Sequence, residues 1–224
     1  MQRQTALISS TALTRRTVAC LFLLAVSATL TAATPSPNEA NMVIQSTIET
    51  LRSALRREMR STNPIDRVAV SVLVDEIVLP HIDIDLSGRL ILGRHWRTAS
   101  GAERQAFIDG YRALLLRVYA VHAADYMDAE VRILNSVSAS AEKLPLGTPT
   151  LTVRTRVTRP GKPVASVDYR MTAVKGSWKI FDAVVNGVSI VGVLRIAVNE
   201  EIGRYGLSGL NEKLTRRPDL PSSP

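Results

Sequence analysis

The chain has 224 residues, with 28 lysines and arginines against 20 aspartates and glutamates, and its 46% hydrophobic content includes only 4% aromatics, so any core is mainly aliphatic. A single cysteine, Cys20, excludes an intrachain disulfide framework and a cysteine metal cluster. The absence of Gly-x-Ser-x-Gly, phosphate-loop and dinucleotide fingerprints removes the commonest sequence signs of hydrolase, nucleotide-binding and oxidoreductase chemistry.

In residues 1–33, Arg3, Arg15 and Arg16 precede an apolar run from Val18 to Val26, and Ala28, Ala32 and Ala33 supply small residues for cleavage. That is the pattern of a secretory signal peptide, with the cut expected near Ala33. Cleavage there removes Cys20, so the exported chain has no thiol nucleophile and an oxidising compartment places no demand on it. The 28 basic residues less the signal's three leave 25 against 20 acidic, a net +5. This balance suits anionic lipid surfaces or acidic proteins, and export argues against a nucleic-acid partner. The remaining residues suit one domain, 34–217, followed by a disordered tail, 218–224.

Pro35 to Pro37 read as a loose entry. From Met42 to Arg60, Val43, Ile44, Ile48, Leu51, Leu55 and Met59 recur at helical spacing, with Gln45, Glu49, Arg52 and Arg56 opposite. Arg56, Arg57 and Arg60 complement the dipole at the end of that helix, and a lipid-headgroup site is the functional alternative. Asn63-Pro64 has the form of a cap and first position for a second helix carrying Ile65, Val68, Val72 and Leu73 toward Leu79, with Pro80 ending it. A short apolar helix is expected over Leu86 to Leu92, closed by Gly93. Ser100 and Glu103 form a capping-box pair. They open a long helix that uses Phe107, Tyr111, Leu114, Leu115, Val118 and Tyr119 and runs to about Asp125.

After Asp128 the period changes to alternation. Val131 and Ile133 predict one strand; Leu151, Val153, Thr155 and Val157 line one face of the next, after a loop from Lys143 to Pro149. Arg159-Pro160-Gly161-Lys162 is a hairpin turn into a strand where Val167, Tyr169 and Met171 share a face, and Lys175-Gly176 turns the chain into Trp178. In this fourth strand Ile180 and Phe181 are consecutive, so either both faces are covered or a bulge redirects it. Asn186-Gly187 stops the strand, Ser189 can cap a helix through Ile190, Leu194 and Val198 to Ile202, and Leu207, Leu210 and Leu214 mark a short final helix. Helices before and after a four-stranded meander make an α+β fold, in which helices pack on a curved antiparallel sheet.

Trp178, Lys179, Asp182, Gly187, Val188, Ser189 and Arg195, together with Leu79-Pro80-His81-Ile82-Asp83 and Leu92-Gly93-Arg94-His95-Trp96-Arg97, form two separated motifs. In order and spacing they resemble the periplasmic phospholipid-carrier family known as MlaC or Ttg2D, the toluene-tolerance auxiliary proteins, over roughly residues 40 to 217. Asn186 stands where that family usually has an acidic residue, and Leu194 where it usually has an aromatic. The resemblance implies a periplasmic location and an apolar cleft between sheet and helices that holds acyl chains. It also implies shuttling of phospholipid between an outer-membrane lipoprotein complex and an inner-membrane ABC transporter bearing an MCE-domain protein, with transient membrane contact. Hopanoid-associated relatives make a rigid terpenoid the alternative cargo.

The residues bearing chemistry are few. His81-x-Asp83-x-Asp85 is the one local cluster of metal-ligand types, and capping and surface hydrogen bonds are its other reading. Asp182 sits among apolar neighbours and requires a partner such as an arginine or backbone amides. It reads as a structural anchor or as a catalytic acid, with Arg195 as a candidate partner. A lipid-phosphate contact or a solvated helix position are the other readings of Arg195. The aliphatic surplus forms either a closed core or a cleft, and the resemblance favours the cleft. The candidate lipid contacts are Leu79, Ile82, Leu90, Trp96, Tyr111, Leu115, Val153, Val167, Tyr169, Trp178, Ile180 and Val184, with no catalytic residue, metal or cofactor expected.

Overall fold

A computed structural model describes residues 35–61, 66–122, 127–138 and 149–216. The signal segment 1–33, the Asn63–Pro64 cap, the end of the long helix at Asp125, the loop beginning at Lys143 and the tail 218–224 lie outside the described residues. Among the described residues no helix is long and apolar enough to cross a membrane.

The proline run begins a helix. Ser36 Oγ accepts from Glu39 N at 3.3 Å and lies 3.2 Å from Glu39 Oε1, while Pro37 occupies the first position of α1 (Pro37–Ser61). A proline there has no N–H to leave unsatisfied. Ala40, Ile44 and Leu55 are buried, whereas Met59, expected on the same face, is exposed. Asp66 accepts from Val68 N at 2.8 Å and caps α2 (Arg67–Ile77). This helix buries Val70 and Val74 and leaves Val68 and Val72, expected inside, in solvent, while Leu73 packs inward as expected. The run from Val68 to Val74 is almost uniformly apolar, so periodicity carries no phase there.

After a single 3₁₀ turn at Leu79–His81, Asp83 Oδ1 accepts from Leu86 N at 2.9 Å and caps α3 (Ile84–Leu92). Gly93 ends it at φ 55°. One turn of helix, α4 (His95–Thr98), leads to Ser100, whose Oγ accepts from Glu103 N at 3.2 Å and whose N–H donates to Glu103 Oε2 at 2.9 Å. This capping box opens α5 (Gly101–His122), as expected. Phe107, Tyr111 and Leu114 are buried, but Val118 and Tyr119 are exposed. The late turns of α5 instead pack Leu116 and Ala120 into the cluster containing α2.

The sheet is an antiparallel meander in chain order: β1 (Glu130–Ser138), β2 (Thr150–Thr158), β3 (Ala165–Val174), β4 (Ser177–Val185) and β5 (Val188–Ser189). Leu151, Val153, Thr155 and Val157 are buried on one face as the alternation requires. Two bulges interrupt the ladder. One lies between Ile133 and Asn135, and the other inserts Phe181, since Met171 pairs with Ile180 while Arg170 pairs with Asp182. The broken alternation in β4 is thus a bulge. Lys175-Gly176 and Asn186-Gly187 both adopt left-handed backbone, the geometry of two-residue hairpins. The second hairpin returns Val188-Ser189 against Val185 and Val184, adding a fifth strand to the expected four.

Helix α6 (Ile190–Arg216) kinks at Gly206, φ 69° and ψ 173°, so the expected long and short helices are joined end to end. Its second part crosses α5 at Gly110, where an added Cβ would lie 2.7 Å from Leu214 Cβ. Gly110→Ala is therefore expected to lower stability by about 1–3 kcal/mol in chemical denaturation through overpacking, although helix propensity favours alanine.

The core has three main clusters. Ile91, Leu92, Phe107, Tyr111, Val191, Val198, Leu210 and Leu214 join α3, α5 and α6. Leu55, Val70, Val74, Val78 and Met127 join α1 to α2. Ala40 and Ile44 of α1 pack on Leu151, Val153, Met171 and Trp178 of the sheet.

Candidate functional site

Helix α1 lies along one face of the sheet because its apolar stripe and the inward residues of β2, β3 and β4 have nowhere else to hide from water. In this seam Ala40, Ile44, Leu151, Val153 and Met171 are fully buried, and Val43, Ile48, Ile133, Tyr169 and Ile180 are partly buried around them. Trp178 fixes one end, where its Nε1 donates to Ser36 O at 2.9 Å across the chain. At the edge of the sheet the seam opens into a half-open cavity of about 280 Å³ between α1 and β1, lined by Gln45, Ile48, Glu49, Arg52, Val131 and Ile133. Its floor is apolar and its rim is charged.

The twelve candidate contacts do not surround one void. Val153, Tyr169, Trp178 and Ile180 meet in the seam under α1. Val167, paired with Thr155, lies on that same inner face, as alternation from Val153 and Tyr169 requires. Ile82 bridges to Ile180 through the backbone but packs its side chain on the cluster of Leu55, Val70, Val74 and Val78, while Leu79 is buried in the adjoining 3₁₀ turn. Leu90, Trp96, Tyr111 and Leu115 belong to the α3–α5–α6 cluster. Burial raises the pKa of the Tyr111 phenol well above its ordinary value. Val184 pairs with Asp168, and Arg170 with Asp182, so the Phe181 bulge leaves Val184 on the face opposite Tyr169.

Asp182 is 4% exposed. Its Oδ2 accepts from Arg170 Nη1 at 2.9 Å and Ser189 Oγ at 2.6 Å, and its Oδ1 accepts from Val191 N at 3.0 Å. Ser189 Oγ in turn accepts from Gly192 N at 2.9 Å, so carboxylate and hydroxyl together satisfy the first amides of α6. This is an anchor between β3, β4 and α6. Its arginine is Arg170, whereas Arg195 donates through Nε to Leu90 O at 2.9 Å and ties α6 to the end of α3. Partnership with Asp182 is one of three readings of Arg195 in the sequence, beside a lipid-phosphate contact and a solvated helix position. The helical turn instead carries it past the carboxylate to the Gly93 corner.

The His81 cluster divides in the same manner. Asp83 caps α3, and the half-buried His81 has a lowered pKa, chiefly through burial and then through the charge of Lys179. Among the described residues no three His, Cys, Asp or Glu side chains are grouped as metal ligands. His95 lies 2.9 Å from Asn199 Oδ1, Arg104 sits over the Trp96 ring, and Asn186 Oδ1 accepts from Ser166 N at 2.9 Å. Most of the motif residues therefore join elements together. Sequence reasoning missed Gln45, Glu49 and Arg52, which it placed on the solvated side of α1; the lone signal was the tripeptide-spaced pair of opposite charges at 49 and 52.

The fold has known counterparts. A phospholipid-binding protein from Ralstonia solanacearum, solved in complex with a phospholipid, superimposes with a TM-score of 0.67 at 23% identity, covering 82% of this chain and 97% of that one. The intermembrane phospholipid transport system binding protein MlaC of Haemophilus influenzae is 22% identical over 156 residues, 68% of each chain. The toluene tolerance protein ttg2D of Pseudomonas putida is 24% identical over 189 residues, 83% of this chain and 82% of its own. Residues 45–216 match the family model described as MlaC protein, a span that takes in most of α1, the whole sheet and α6, and the chain belongs to the MlaC family.

Proposed function

We propose that this protein is a periplasmic lipid carrier that takes phospholipid acyl chains into the seam between α1 and the inner face of the sheet. The observation that carries this reading is the apolar seam opening at Ile48, Val131 and Ile133, in a chain whose relatives are named for phospholipid binding and transport. Val153, Val167, Tyr169, Trp178 and Ile180 are the tail contacts this path favours. At about 280 Å³ the cavity is smaller than the ~300–1,000 Å³ of sites for drug-sized ligands, so a two-tailed lipid enters by parting α1 from the sheet. Each buried CH₂ contributes about 0.8 kcal/mol relative to water, so tails that have entered the seam are held against escape into the aqueous phase.

Because a bilayer is as apolar as the seam, direction of transfer comes from differential interaction with partners. Those partners are an outer-membrane lipoprotein complex and an inner-membrane MCE/ABC transporter. Catalysis forms no part of the reading, since the carboxylate best placed for it already holds three structural donors. Residues 1–33 act as the export signal.

Native mass spectrometry of the mature protein, purified gently from its periplasm and followed by lipid extraction, tests the proposal. Near-stoichiometric phospholipid is the expected result. A hopanoid would keep the mechanism and change the cargo, whereas a protein that is empty and takes nothing from vesicles would overturn the reading.

A further inference from the structure

The rim of the α1–β1 cavity carries two opposite charges whose roles the apolar seam does not explain. Glu49 and Arg52 are one helical turn apart, at a spacing that places side chains about 5–6 Å from each other at Cβ. They are not spent on one another. Arg52 donates through Nη2 to Ala129 O at the start of β1, and its Nε–H is buried with no acceptor among the described residues. A buried donor left in that state is unfavourable, and an acceptor arriving with a ligand relieves it. Glu49 accepts from Gln45 Nε2 through Oε1 at 3.0 Å, and a carboxylate has further acceptor sites to offer. Below them Ile48, Val131 and Ile133 form an apolar floor, and Ile48 and Ile133 continue into the seam.

From this geometry we infer that the cavity mouth is a headgroup site for zwitterionic glycerophospholipids, in which Arg52 binds the phosphate and Glu49 the ammonium group. The assignment rests on the carrier reading and adds to it a point of entry and a selectivity. An anion alone would be repelled by Glu49, and a cation alone by Arg52 and the neighbouring Arg56, so the rim discriminates by demanding both charges in one ligand. The tails then leave the glycerol toward Ile48 and Ile133, the direction in which the seam lies.

The test offers the mature protein vesicles of equal phosphatidylethanolamine and phosphatidylglycerol content and identifies the bound lipid by native mass spectrometry. Wild type is expected to favour phosphatidylethanolamine by about tenfold, the measure of one charge-assisted hydrogen bond. Glu49→Gln, at an exposed position, should abolish the preference by lowering phosphatidylethanolamine uptake to the level of phosphatidylglycerol. Arg52→Gln should lower uptake of both lipids, and Arg52→Lys, which keeps the charge, should restore most of it. Lipid-loaded wild type with no preference, a preference for phosphatidylglycerol, or a preference unchanged in Glu49→Gln would overturn the headgroup assignment and leave the carrier reading standing. A wild type that loads neither lipid would overturn both.

Discussion

Replacing Asp182 by alanine is expected to lower the free energy of unfolding by about 3–5 kcal/mol, the range for breaking a buried, hydrogen-bonded ion pair by removing one partner. The carboxylate is the meeting point of three elements. Arg170 reaches it from β3, while Ser189 and Val191 reach it from the corner where the β4–β5 hairpin becomes α6. Alanine takes the carboxylate away from the Arg170 guanidinium, which also lies over the Phe181 ring at 5.4 Å, and removes the acceptor of the Val191 amide. Ser189→Ala, which loses one donor to the carboxylate and one acceptor for Gly192 N, should lose less, about 1 kcal/mol, as for a helix cap. Urea denaturation followed by circular dichroism measures both. A loss below 1 kcal/mol in Asp182→Ala would show that the anchor is dispensable.

Trp178→Ala should have a comparable effect, about 3–5 kcal/mol, because the buried indole fills the end of the seam beneath α1 and its loss leaves a cavity there. Trp178→Phe separates packing from pinning. The ring remains, but Ser36 O loses its indole donor, a net hydrogen-bond contribution of about 1 kcal/mol. If α1 parts from the sheet when lipid enters, the two variants also differ in loading. Trp178→Phe should exchange lipid with vesicles faster than wild type, since the N-terminal end of α1 is held less firmly, while Trp178→Ala should retain lipid poorly. Equal unfolding energies for alanine and phenylalanine would refute the packing account. An unchanged exchange rate in Trp178→Phe would place the hinge of α1 elsewhere.

Local signals in this chain were strong where one residue type has one physical use. Ser100 and Glu103, Gly93, Lys175-Gly176 and Asn186-Gly187 each punctuate the structure where the sequence suggested, because capping and left-handed turns depend on neighbours within four residues. The alternation in β2 was equally legible, since threonine and arginine separate the apolar positions clearly. The helices were less so. In α2 a nearly uniform valine run left the buried face undefined, and in α5 the late turns rotate Leu116 and Ala120 inward in place of Val118 and Tyr119 because α2 packs there.

The candidate site divides along the same line. That an aliphatic surplus sits on one sheet face and one amphipathic helix follows from periodicity, and the family follows from two spaced motifs, so sequence alone determined the α+β class, the meander, most turns and the kind of cargo to expect. Which arginine meets Asp182, which of twelve apolar residues share the seam, and which charges frame its opening were decided by tertiary structure. The physical reason is that these depend on contacts between residues far apart in the chain. Arg170 lies twelve residues before Asp182 yet directly across the ladder, while the single-residue bulge at Phe181 sets the face on which Val184 lies. Glu49 and Arg52 read as a solvated helix side until β1 is laid beside them, and only then do they become the rim of a cavity.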